Sequence, residues 1–111
     1  MFQPMLPEVP SVHPSELDPT SPVPEGSVLL DVREQDEWDA GHAPGAVHIP
    51  LSDLPARFAE LDAESPVLVV CHSGGRSARA TQWLNEAAGF EATNLEGGIL
   101  AWQSAGLPVE R

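Results

Sequence analysis

A chain of 111 residues with 41% hydrophobic content is long enough for one domain with a real core, and too apolar for general disorder. Its net charge of −12, with 17 acids, five arginines and no lysine, argues against nucleic acid and anionic membranes as partners. A single cysteine excludes an internal disulfide and any multi-cysteine metal site.

No run approaches the roughly 18 apolar residues of a membrane span. The first dozen residues place no positive charge before an apolar run, so they do not read as a secretory signal, and a reducing, cytosolic compartment is expected. His13, His42, His48 and His72 lack ligand spacing, so neither a metal nor a cofactor is expected. Charge is uneven. Residues 1–70 carry 13 acids and two arginines, against four acids and three arginines in residues 71–111.

Seven of the 12 prolines fall within residues 1–24. Proline removes backbone donors, so this stretch is expected to be an arm, with residues 25–109 forming the domain. Within the arm, Val12 to Leu17 suits a short edge strand and one helical turn that could pack on the domain. Val28–Leu30 is a short apolar strand ending at Asp31. Glu34 to Ala40 reads as a helix stopped by Gly41. Ala46 to Ile49 is a short strand between turn residues. Ser52 to Leu61 reads as a helix opened by a serine cap. Val67–Val70 is β-branched and wholly apolar, the strongest and central strand. Arg76 to Ala88 is a helix presenting Ala80, Trp83, Leu84 and Ala87 on one face. Ala92 to Leu95 is a last strand, and Gly97-Gly98 turns into a last helix, Ile99 to Ala105. Alternating strands and helices imply an α/β fold: three layers, a mostly parallel central sheet and helices on both faces. Trp38, Trp83 and Trp102 are expected in the core.

Ligands of such sheets sit beyond the carboxyl ends of the strands, which is where Cys71 falls. The residues that follow it, His72-Ser73-Gly74-Gly75-Arg76-Ser77, lead into a helix. Two glycines let the backbone curl, and a curl feeding a helix aims several N–H groups inward as an anion nest. A thiol held there has its thiolate stabilised. Arg76 adds a fixed charge for an anionic substrate, Ser77 a helix cap or a further hydrogen bond, and His72 lines the site. An inert buried thiol would need neither the glycines nor the arginine. Asp31 and Arg33, at another strand's carboxyl end, either face the site and fix the loop or form a structural salt bridge.

Three ordered motifs resemble the rhodanese-like domain family over residues 25–109. Cys71 to Ser77 (CHSGGRS) is similar to its active-site loop C-x-x-G-x-R-S. Leu30 to Glu34 (LDVRE), with Glu37-Trp38 and Gly41 to Ala46, resembles its N-terminal signature. Leu95 to Trp102 (LEGGILAW) resembles its C-terminal one. One departure is Ala43, where the family commonly has isoleucine. The resemblance implies a rhodanese-like fold and a sulfurtransferase. Cys71 would be the nucleophile that forms a persulfide, and Arg76 and the loop amides would bind substrate. The implied partners are a small anionic sulfur donor such as thiosulfate and a thiol, cyanide or protein-cysteine acceptor. Two other readings stand beside it. Small phosphatases and arsenate reductases also use a Cys…Arg loop, but with five intervening residues, whereas four separate Cys71 from Arg76. A non-catalytic binding module of the family would typically lack the cysteine.

Overall fold

The structure, a computed structural model, describes residues 9–111; the first eight residues of the expected arm lie outside it. Five strands, β1 (Ser11–Val12), β2 (Val28–Asp31), β3 (Val47–His48), β4 (Val67–Val70) and β5 (Ala92–Leu95), form one sheet. Its order is β1-β5-β4-β2-β3, and every pairing is parallel. The apolar run of β4 sits at the centre because both its faces are covered. Its four residues alternate between two cores. Val67 and Val69, with Leu30, Val32 and Cys71, meet Ala80, Leu84 and Phe90 on one side. Leu68 and Val70, with Leu29 and Leu95, meet Ile99, Trp102 and Leu107 on the other.

The helices α1 (Gln35–Ala40), α2 (Leu54–Arg57), α3 (Gly75–Ala87) and α4 (Gly98–Ser104) complete an α/β three-layer fold. None of them is long and apolar enough to cross a membrane. The strand and turn expected near Val12 are present. β1 joins the sheet edge beside β5, and Pro14–Glu16 forms a 3₁₀ turn.

The stretch from Ser52 to Leu61 departs from one continuous helix. A 3₁₀ turn at Leu51–Asp53 precedes α2, and another at Phe58–Glu60 follows it. Pro55 has no N–H to donate back into the preceding turn, so the helix restarts there. No serine cap opens it: Pro50 holds the cap position of the first turn.

The buried stripe of α3 is Ser77, Ala80, Thr81 and Leu84, rotated from the expected face. Ala87 is exposed and Trp83 half-buried, edge-on to Phe58 with ring centroids 5.4 Å apart. Trp102 is a core residue, as expected. Trp38 is not; it is half-buried and stacks on His42 at 3.6 Å and His48 at 4.7 Å.

Candidate active site

Cys71 is the residue that follows β4, and the chain then curls through Gly74 into α3. Gly74 has φ +110°, a conformation glycine adopts at no steric cost. This turn brings three donors onto one sulfur. The Gly74 N–H lies 3.1 Å from Cys71 Sγ, the Ser77 N–H 3.3 Å and the Ser77 hydroxyl 3.3 Å. The side chain is almost sealed, at 1% exposure.

Burial by itself pushes the thiol pKa up. The Ser77 hydroxyl and the N–H groups of Ser77, Gly74 and Ser73 outweigh it, so the thiol is lowered from its ordinary value. Donors aimed at the sulfur stabilise its anion, and together they outweigh the burial that favours the neutral thiol.

The carbonyls of the loop are anchored from behind. The N–H groups of Ile99 and Leu100, at the start of α4, donate to the Cys71 and His72 carbonyls at 2.8 and 3.2 Å. This approach requires Gly98, at φ +61°. A Cβ there would fall 2.4 Å from the Cys71 carbonyl oxygen and 2.5 Å from the His72 carbonyl. Gly97-Gly98 is therefore more than the turn into α4; it lets one helix terminus clamp the loop that begins another.

The other expected residues divide as follows. Gly74, not Ser77, holds the cap position of α3. Ser77 is the third residue of α3 and fully buried, and its hydroxyl has one proton to give to either of two acceptors, Asn94 Oδ1, the nearer, or Cys71 Sγ. Gly75 opens α3 and is exposed. His72 and Ser73 are exposed on the loop. Arg76 stands at the rim in a bidentate pair with Glu37 of α1, at 2.8 and 2.9 Å. The guanidinium lowers the Glu37 carboxyl to about 2, against an opposing push from burial, and Glu37 in turn raises Arg76.

Asp31 and Arg33 form a buried ion pair at 2.8 Å. Arg33 also donates to the Gly41 carbonyl at 2.8 Å, so the pair ties the end of β2 to the end of α1. Neither residue hydrogen-bonds residues 71–77 among the described residues.

Sequence reasoning missed three contributors: Asn94, Glu37 and the clamping role of Gly98. Asn94 left a signal, a polar residue inside the β5 run on the same face as Ala92. Glu37 stood within the N-terminal signature, but its pair with Arg76 spans 39 residues and left no sign there.

A parallel α/β sheet with a thiolate cradle between its central strand and the following helix defines the class of the protein. The sequence-family model for the rhodanese-like domain matches residues 19–105, and the chain belongs to that family. It is 35% identical over 85 residues to a protein of Allochromatium vinosum named sulfurtransferase, covering 77% of this chain and 79% of that one. Among solved structures, it resembles a rhodanese-related protein from Thermoplasma volcanium with a TM-score of 0.81 and 31% identity. That match covers 91% of this chain and 97% of the other. A rhodanese-like domain protein from Staphylococcus aureus matches with a TM-score of 0.79 and 31% identity, over 92% of this chain and 99% of its own.

Proposed function

We propose that this protein is a rhodanese-type sulfurtransferase that carries sulfane sulfur as a persulfide on Cys71. The observation that carries the reading is the convergence of two N–H groups and one hydroxyl on Cys71 Sγ. Such a cradle stabilises an anion on sulfur before and after sulfur is loaded.

The transfer has two steps. The Cys71 thiolate attacks the outer sulfur of a donor such as thiosulfate; the donor's S–S bond breaks and sulfite leaves with the electron pair. The new persulfide lies within the loop. A thiophilic acceptor (a thiol, cyanide or a protein cysteine) then attacks the outer sulfur, and Cys71 departs as the thiolate it began as. In each step the attacking nucleophile supplies the electron pair and the leaving group departs with one, so neither step calls on a metal or cofactor. Glu37 takes two of the N–H donors of Arg76 and fixes the guanidinium, leaving the others for the oxygens of an anionic donor. A nucleophilic lone thiol must stay reduced, which fits a reducing compartment such as the cytosol.

Intact-mass spectrometry after incubation with thiosulfate tests the proposal. The wild-type protein is expected to gain one sulfur atom that cyanide removes, and Cys71→Ser to gain none while keeping its circular dichroism. A wild-type protein that stays unmodified, or a Cys71→Ser variant that still forms thiocyanate, overturns it.

A further inference from the structure

Three buried side chains meet at the Ser77 hydroxyl, whose oxygen lies 3.3 Å from Cys71 Sγ and 2.5 Å from Asn94 Oδ1. The hydroxyl holds one proton. While Cys71 is a neutral thiol, every group has a partner: the hydroxyl donates to the amide oxygen, and the S–H donates to the hydroxyl oxygen. When Cys71 ionises, one donor is missing. The thiolate and the amide oxygen are then both acceptors only, with a single proton between them. A hydroxyl that turns to sulfur leaves two oxygens 2.5 Å apart with no proton between them. A hydroxyl that stays denies the buried anion its one side-chain donor.

Asn94 can supply the missing donor without moving its backbone. The residue is fixed in the sheet, paired to Val69 of β4 and Ser11 of β1, and its N–H donates to the Pro10 carbonyl at 2.7 Å. The amide at the end of the side chain is not so constrained. Its last torsion is broad and two-fold, and half a turn puts N–H where the oxygen stood. The Ser77 hydroxyl then gives its proton to sulfur while its oxygen accepts from Asn94 Nδ2. A hydrogen bond to a charged group is roughly twice as strong as a neutral one, and each link in such a chain polarises the next. The turn gives up the neutral bond to Oδ1, so the net gain is smaller than a free hydroxyl would provide.

We propose that Asn94 is a positioning residue for the Cys71 thiolate, its amide turning as the sulfur gains charge so that Nδ2, Ser77 Oγ and Cys71 Sγ form one donor chain. The inference rests on the reading of Cys71 as the nucleophile. The chain forms when Cys71 ionises and again when it departs from the persulfide as a thiolate. No proton is lost beyond the one the thiol itself gives up. The charged surroundings do not change meanwhile. β4, β5 and α4 carry no charged residue, His72 is exposed on the loop, and Arg79 and Glu86 are exposed on α3. Arg76, which the sulfur's charge reaches, stays paired with Glu37 of α1 across the range in which a thiol titrates.

The isotope-labelled wild-type protein is titrated by NMR through the Cys71 ionisation, which iodoacetamide alkylation locates independently. The side-chain amide hydrogens of Asn94 are expected to shift with the Cys71 midpoint. They should lose most of that shift in Ser77→Ala, which keeps the charge but not the relay. Hydrogens that ignore the ionisation in the wild type, or follow it equally in Ser77→Ala, overturn the proposal.

Asn94→Ala gives opposite signs for a fixed and a turning amide. A fixed amide oxygen competes with sulfur for the proton, so its removal would speed alkylation below the Cys71 pKa. A turning amide supports the anion, so removal is expected to slow alkylation about threefold and displace the profile to higher pH, with no further effect in the Ser77→Ala background. Faster or unchanged alkylation, or an equal loss in both backgrounds, refutes the chain. Neither measurement involves sulfur transfer. A coupled titration in a protein that gains no sulfur from thiosulfate would keep the chain and refute the persulfide reading, and persulfide formation beside an uncoupled amide would do the reverse.

Discussion

Replacing Ser77 by alanine removes the one side-chain donor on Cys71 Sγ and leaves the N–H groups of Gly74 and Ser77 in place. A hydrogen bond to a charged group contributes about 1.5–3 kcal/mol. The hydroxyl stabilises the thiolate over the thiol, so its loss moves the Cys71 pKa upward. At a pH below that pKa, each 1.4 kcal/mol lowers the thiolate population about tenfold, and because the one hydroxyl proton is divided between Cys71 and Asn94, Ser77→Ala should cut it about tenfold, the lower end of that range. Because the thiolate is the reacting form, the rate of iodoacetamide alkylation should fall by the same factor and recover as pH rises. The variant also deprives buried Asn94 of its hydroxyl partner, with an expected loss of about 1–3 kcal/mol in stability. Chemical denaturation measures that separately. A slower rate at every pH, without a displaced profile, would mean that Ser77 only shapes the loop. An unchanged profile in a stably folded variant would refute its part in holding the anion.

Three other expectations follow from the same geometry. Gly98→Ala should cost more than about 3 kcal/mol, because its Cβ meets the loop backbone, whereas Gly45→Ala, at φ +79° with nothing within 4 Å, should cost only about 1–2 kcal/mol; urea denaturation compares them. Glu37 titrates near 2 in the folded protein against 4.5 ordinarily, so its pair with Arg76 contributes stability above pH 4.5 that is lost as pH falls toward 2. Glu37→Gln should flatten that part of the melting-temperature profile, and an unaltered acid limb would refute the pair's contribution. Net charge −12 opposes the approach of dianionic thiosulfate at long range, while the loop contacts are short, so raising salt from very low to moderate should increase kcat/KM for thiosulfate. A steep fall, in chloride and with a bulkier anion alike, would show that local positive charge governs encounter.

Local chemistry alone determined the order of elements. The four apolar residues of β4 could only be buried on both faces, and Gly41 could only end α1. The Cys71–Ser77 segment likewise declares itself, since a thiol followed by two glycines and a helix makes an anion cradle from adjacent residues. Where a proline intervened, at Pro55, the periodicity suggested one helix and the missing N–H divided it.

The tertiary structure decided what required distant residues to meet. Arg76 reads in the sequence as a free charge for substrate; only the packing of α1 against the loop gives it Glu37. Asp31 and Arg33 sit at the end of a strand, and only the return of the chain at Gly41 shows which way their charges are satisfied. Gly98 reads as a turn until α4 is seen to press its first N–H groups onto the carbonyls of Cys71 and His72. Asn94 becomes legible only once β5 lies beside β4, which carries its amide oxygen to the Ser77 hydroxyl. Sequence fixes what each residue is able to donate, accept or bury. Which partner it finds across dozens of residues depends on the register of the sheet and the closeness of its helices.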